Sequence, residues 1–246
     1  MSALIIKQVK KGAHAGGPLQ DMNKINIIGI GFRPLDKKAS EILLASDVVL
    51  TNKGLLEAFK GYAEYDKVKD NIIVHATVYE MLDYIADNYQ DKKIALLGIG
   101  DPMFFGIGRL LLERFGKEPV EIYPDLSSVQ VAFSRIKETA NDALLISVHG
   151  GPDPEKRRNL KYEMTEISGL LAKYGKLAIL NDRVNNPSKI AEVFLKPSVD
   201  SCQLSVLKMY VCEKLGQEDE RIVEGTPKEM SGQSFAHPNV VILISG

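Results

Sequence analysis

Gly98-Ile99-Gly100-Asp101-Pro102-Met103-Phe104-Phe105-Gly106-Ile107-Gly108-Arg109 is the stretch that decides the fold. Ahead of it, Ile94-Ala95-Leu96-Leu97 is an apolar run of strand length; behind it, Gly108 to Phe115 carries helical spacing. The stretch is therefore a strand-to-helix corner. Glycine permits close backbone approach, while Pro102 fixes φ and removes a donor, so the corner is stiff. One carboxylate, Asp101, stands where a ligand donor or a cation can meet it. Taken alone, Gly100-Asp101-Pro102 is equally an ordinary turn.

Upstream, the same grammar repeats. Ile25-Asn26-Ile27-Ile28 reads as a buried strand ending in Gly29-Ile30-Gly31-Phe32, and Asp36 caps a helix over 37–45. A strand at 47–50, a helix at 55–60, a strand at 72–74 and a helix at 78–88 follow, and Val120 to Tyr123 is the strand after the corner. Repeated βα units bury a mostly parallel sheet between helices, with ligands beyond the carboxyl ends of its strands. The loops at Gly29 to Phe32, Gly98 to Met103 and Pro124 to Ser128 all fall at such ends.

Downstream, Ser127 to Ile136 reads as a helix, and the polar run 137–142 reads as a linker. Then come strands at 143–148, 176–180, 203–211, 218–223 and 240–244, with helices at 160–173 and 188–195. Several of these strands lack crossover helices, so the second sheet should be mixed. The expected class is α/β, with two α/β domains: a parallel-sheet domain over 24–138 and a mixed-sheet domain over 143–246. Residues 1–23 read as a mobile extension.

Charge narrows the partners. The 246 residues carry 31 basic and 32 acidic side chains, a formal net charge of -1, which argues against a nucleic-acid ligand. No apolar run approaches a membrane span, and the amino terminus has the wrong charge order for a secretory signal, so a cytoplasmic location is expected. Cys202 and Cys212 are too few for a disulfide framework, and no zinc-type spacing involves the four histidines, so no metal is expected.

Neither glycine-rich turn is a nucleotide motif. The third glycine of a dinucleotide fingerprint is missing after Gly29-Ile30-Gly31, and no Gly-Lys-Ser/Thr follows either turn. Ser127 and Ser128 offer two hydroxyls at a helix start, one to cap and one left for a ligand. His149 at a strand end is a structural or a catalytic histidine. The polar run Asn181 to Pro187 is a binding loop or a solvated turn.

Read together, these stretches resemble the tetrapyrrole methylase family, which moves methyl groups from S-adenosylmethionine to carbons of uroporphyrinogen-derived rings. The resemblance rests on Ile28 to Gly31, Gly100 to Arg109, Ser127 to Phe133, Ser147 to Gly150, Val211 to Gly216, and Glu220 to Val223. Asp125 departs from the family's usual glycine, Gly151 from its usual arginine, and Phe32-Arg33-Pro34 from a more glycine-rich turn.

The resemblance implies a cofactor cleft between the two domains and S-adenosyl-L-methionine as cofactor. It places Phe32, Gly100, Asp101, Met103, Phe104, Gly106, Ser127 and Ser128 against that cofactor. Arg33, Arg109 and Arg183 become candidates for substrate carboxylates, and His149 the candidate catalytic base. The implied substrate is a precorrin macrocycle methylated at C5 in cobalamin biosynthesis. The implied assembly is a homodimer working with a separate C15-methylating and decarboxylating subunit. The alternatives are a same-fold methylase acting on ribosomal RNA or protein, and a corrinoid-binding protein without catalysis.

Overall fold

A computed structural model describes residues 24–149, 161–196 and 207–246. Among the described residues, ten strands fall into two five-stranded sheets. The first contains β1 (Ile25–Ile30), β2 (Val48–Thr51), β3 (Ile72–Val74), β4 (Ile94–Ile99) and β5 (Val120–Tyr123). Its order is β3-β2-β4-β1-β5 and every pairing is parallel. The chain leaves β1 toward β2 and β3, then returns through β4 and crosses to β5. Connections from β1 and β4 thus run in opposite directions, which opens a crevice above their carboxyl ends.

Side-chain alternation on β1 shows why both faces are covered. Ile25 and Ile27 pack with Met81, Leu82 and Ile85 of α4 (Val78–Asn88) and Leu111 of α5 (Gly108–Phe115). Ile28 and Ile30 pack with Ala39 and Leu43 of α1 (Lys37–Leu44) and with Phe59 of α2 (Lys53–Phe59). A period of two places successive residues on opposite faces. Start signals match their helices: Asp36 and Asn52 accept from the backbone of α1 and α2, and Thr77 with Glu80 makes a capping box on α4. A further helix, α3, spans Tyr65–Val68.

The second sheet contains β6 (Leu144–Ser147), β7 (Lys176–Leu180), β8 (Lys208–Glu213), β9 (Arg221–Gly225) and β10 (Asn239–Ile244), in the order β6-β7-β10-β8-β9. β6 and β7 are parallel; β7 with β10, β10 with β8, and β8 with β9 are antiparallel. The expected mixed sheet is therefore present. One face is covered by α7 (Ile167–Tyr174) and α8 (Pro187–Phe194).

The opposite face is covered by α6 (Ser128–Ile136), whose Val129, Ala132 and Phe133 pack on Ala178, Tyr210, Cys212, Val240 and Ile242. Although α6 follows directly from the first sheet, its apolar side belongs to the core of the second. Arg135 of α6 pairs with Glu220 at 2.5 Å, adding a polar tie on the same boundary. The linker after α6 begins with Lys137 in the left-handed region, φ 59°, as its C-cap.

Several element ends differ from the sequence reading. The helix expected over 160–173 begins as a 3-10 turn at Met164–Glu166 and becomes α-helical at Ile167. Glu166 turns its carboxylate back to accept from the Glu163 N–H at 2.7 Å, which sets that start; Leu160 lies outside the described residues. The strand expected from 218 begins at Arg221, because residues 214–220 form consecutive turns closed by Gln217 N–H to Lys214 C=O and Glu220 N–H to Gln217 C=O. Residues 203–206 of another expected strand, like 1–23, lie outside the described residues. Among those described, no helix is long and apolar enough to cross a membrane.

Candidate cofactor crevice

Three loops meet above β1, β4 and β5, and short backbone contacts bind them together. Gly100 N–H donates to Ile30 C=O at 2.8 Å, and Asp125 N–H donates to Gly100 C=O at 3.3 Å. Gly29 lies inside this junction: a Cβ there would stand 2.0 Å from Gly100 O and 2.6 Å from Asp125 N. Gly31 N–H donates to the Tyr62 hydroxyl at 2.6 Å. Burial raises the pKa of that phenol, which stays neutral and fixed.

The Gly-Asp-Pro corner is wound around buried Pro102. Gly100 has φ +62°, and Phe105, though not glycine, has φ 56°. A Cβ on Gly106 would lie 2.4 Å from Pro102 O, and Gly108 N–H donates to the same carbonyl at 2.9 Å. The corner's own packing therefore accounts for the small residues at 106 and 108. Asp101 accepts from Met103 N–H through Oδ1 at 2.8 Å, and no partner meets Oδ2 among the described residues. That oxygen is free for a donor from a ligand. Beside it, Ile99, Met103 and Phe105 expose 57%, 47% and 42% of their surface, an apolar rim on a polar centre.

The paired serines differ, and Ser127 is the one that caps. Ser127 is buried, accepts from Gln130 N–H at 3.2 Å and completes a capping box, while the Ser128 hydroxyl makes no hydrogen bond among the described residues. Replacing Ser127 by Ala should lower stability by about 1 kcal/mol, the usual cost of a lost cap, whereas Ser128→Ala should stay within about 0.5 kcal/mol. Urea denaturation of both variants checks this, and equal midpoint shifts would sink the division of roles.

The second half closes on this junction through its Glu-Lys-Leu-Gly run. A Cβ on Gly216, φ +80°, would stand 2.7 Å from Gly31 O and 3.1 Å from the Phe32 ring. Phe32 and Phe104 both pack into the α6 core cluster that carries Cys212 and Val240. Burial pushes the Cys212 thiol up to about 12, so it is a packing residue. Cys202 lies outside the described residues. Glu213, only 1% exposed, accepts from Arg221 Nε and Ala236 N–H and so anchors the loop before β10.

Of the three candidate arginines, two already have partners. Arg33 Nε meets Asp125 at 2.8 Å, and Arg109 meets Glu113 one turn along α5 at 2.5 Å. Arg109 lines a cavity of about 710 Å³ together with Met103, Phe104, Leu145, Ser147 and Tyr162, a volume in the range of small-molecule sites. Arg183 has no ion pair among the described residues and lines a second cavity, of about 500 Å³, with Lys189 and His237. Burial and the Arg183 charge lower the pKa of His237. His149 places Nδ1 3.2 Å from the Asn181 carbonyl oxygen. A carbonyl can only accept, so Nδ1 carries the hydrogen in this contact, and Nε2 meets no partner among the described residues.

Sequence reading missed several residues that hold the crevice together. Tyr62 sits in the connection between α2 and α3 with no motif to flag it. Asp125 was visible only as a departure from a family pattern. The Asn181 amide, 4% exposed, donates to Asn239 Oδ1 at 2.8 Å and keeps Oδ1 buried without a partner among the described residues. Only the polar density of its loop hinted at it.

Residues 24–231 match the family model described as tetrapyrrole (corrin/porphyrin) methylases. The chain belongs to that family. Its relatives include a probable cobalt-precorrin-7 C(5)-methyltransferase of Methanocaldococcus jannaschii, 28% identical over 225 residues, covering 89% of this chain and 96% of that one. The cobalt-precorrin-7 C(5)-methyltransferase of Salmonella typhimurium is 33% identical over 147 residues, 60% of this chain and 64% of that one. This tetrapyrrole methylase family member also shares its fold with the precorrin-6Y methylase structure from Archaeoglobus fulgidus: TM-score 0.64, 22% identity, 90% of this chain and 96% of that one. A diphthine synthase structure superposes at TM-score 0.62 with 14% identity, covering 90% of this chain and 89% of that one, so the fold alone does not choose the methyl acceptor.

Proposed function

We propose that the chain is an S-adenosylmethionine-dependent C-methyltransferase acting at C5 of a precorrin macrocycle in cobalamin biosynthesis. One observation carries it: among the described residues, Asp101 keeps an oxygen and Ser128 a hydroxyl without a partner, at the ends of two loops that meet through Gly100 and Asp125 beside an exposed apolar rim. The Methanocaldococcus jannaschii relative, named a probable cobalt-precorrin-7 C(5)-methyltransferase, matches 89% of this chain and supports the reading.

The residues fit the cofactor's chemistry. Asp101 Oδ2 suits a hydroxyl or amine donor, Ser128 suits the amino-acid carboxylate, and Met103 and Phe104 suit its apolar parts, with Phe32 behind. Gly100, Gly106 and Ser127 keep the loops in shape for those contacts. When bound, the cofactor supplies a methyl on a sulfonium, already activated toward an electron-rich ring carbon.

What remains for the protein is alignment and the exclusion of water, and no side-chain nucleophile is needed. The proton lost from the methylated carbon goes to His149 Nε2, the nitrogen its Asn181 contact leaves free. Arg109 and Arg183 are assigned to macrocycle carboxylates. Arg33 is less available for that role because its Nε edge is already on Asp125. A homodimer, a cytoplasmic location and a separate subunit for C15 methylation and decarboxylation belong to the same reading. The name of a Sinorhizobium relative, precorrin-6Y C(5,15)-methyltransferase (decarboxylating), supports pairing these activities.

The test is calorimetric titration with S-adenosylhomocysteine, followed by transfer of labelled methyl to a precorrin, to ribosomal RNA and to protein. Binding plus transfer to the precorrin alone is the expected result. No binding refutes the enzyme reading, and transfer to RNA or protein replaces the substrate.

A further inference from the structure

The carboxylate of Asp125 has a role that neither the family match nor the cofactor assignment gives it. Its side chain is only 4% exposed, yet it faces four donors, two on each oxygen. Oδ2 accepts from Phe32 N–H at 2.7 Å and Arg33 N–H at 3.2 Å. Oδ1 accepts from Arg33 Nε at 2.8 Å and from its own neighbour, Leu126 N–H, at 2.7 Å. Two consecutive backbone N–H groups aimed at one oxygen make an anion-binding concavity, and a guanidinium beside it completes the charge. Three of the donors lie on the β1 loop and one on the β5 loop, so the anion is the bolt between two walls of the crevice.

We propose that Asp125 is a built-in anion filling a ready-made anion site, and that it is a positioning residue for the cofactor. It holds Phe32 in place through the N–H of that residue, while Gly216 closes on the Phe32 ring from the other half. With Asp125 in place, the donors of this corner are satisfied from within. Asp125→Ala opens a carboxylate-sized gap lined by the same donors, and a small free carboxylate can enter it. The role in cofactor affinity rests on the methyltransferase reading; the anion site itself does not.

The experiment uses the full chain as wild type, Asp125→Ala and Asp125→Asn. Amide hydrogen exchange at Phe32, Arg33 and Leu126 is followed with sodium formate and, at equal ionic strength, with sodium chloride. S-adenosylhomocysteine affinity is measured in parallel. In Asp125→Ala, exchange at these amides should quicken and affinity fall, each by about tenfold or more, as the loss of charge-assisted hydrogen bonds predicts. Formate, and not chloride, should restore both. Asp125→Asn, which retains shape but not charge, should fall between.

Unchanged exchange in Asp125→Ala overturns the proposal, as does loss that formate and chloride restore equally or not at all. Restored exchange with affinity that never changed overturns the cofactor role and leaves the anion site standing. If wild type binds no S-adenosylhomocysteine, the methyltransferase reading fails and takes the cofactor role with it, and the exchange arm still decides the site. A variant that does not fold in either salt counts against formate rescue and so against the proposal.

Discussion

Gly29→Ala should cost about 3 kcal/mol or more of stability, the upper end for overpacking at a site that cannot yield. The new methyl would stand 2.0 Å from Gly100 O and 2.6 Å from Asp125 N, both backbone atoms of other loops. Neither can rotate away, so β1 must part from its neighbours or the two loops must move outward. At about 2–4 °C per kcal/mol for a chain of this size, the midpoint should fall by roughly 6–12 °C. The same shift displaces Gly100 and Asp125 together, so affinity for S-adenosylhomocysteine should fall as well.

Gly169→Ala provides the contrast. Gly169 lies in α7 with nothing within 4 Å of an added Cβ, so the same methyl should stabilise by about 0.5–1 kcal/mol through helix propensity. Thermal unfolding of the two variants reads opposite signs from one chemical change. A Gly29→Ala protein as stable as wild type would show that the three-loop junction is not tightly packed.

The second large effect is on binding. Asp101→Asn should weaken S-adenosylhomocysteine by about tenfold or more, because a charge-assisted hydrogen bond is worth about 1.5–3 kcal/mol. Asparagine keeps an Oδ1 to accept from Met103 N–H, so the turn survives and only the charge and the second acceptor go. Its midpoint should therefore stay near wild type. Asp101→Ala removes both contacts and should lose affinity at least as much, with a small stability cost from the freed Met103 amide. Calorimetry with both variants decides the assignment: unchanged affinity in Asp101→Asn means that Asp101 only shapes its own turn.

Much of the fold was legible in the chain because its signals are local. Helices α4 and α5 and strands β3, β5 and β7 begin and end where periodicity and caps place them. The parallel first sheet followed from alternating βα units, and the mixed second sheet from strands joined without crossover helices. Boundaries failed where side chains far along the turn set them, as Glu166 does for the start of α7.

The candidate site was legible as a set of loops and illegible as a set of contacts. Residue type and spacing alone placed Asp101 at a strand end, gave one of two serines the cap and left the other unpaired, since each depends on neighbours within a few residues. Which face α6 would cover, that Gly29 and Gly216 are small because other loops crowd them, and that Asp125 collects donors from a loop 92 positions away were decided only in three dimensions. Those facts depend on which segments the two sheets bring together, and the partners of a buried carboxylate or a crowded glycine leave no mark in the sequence beside it.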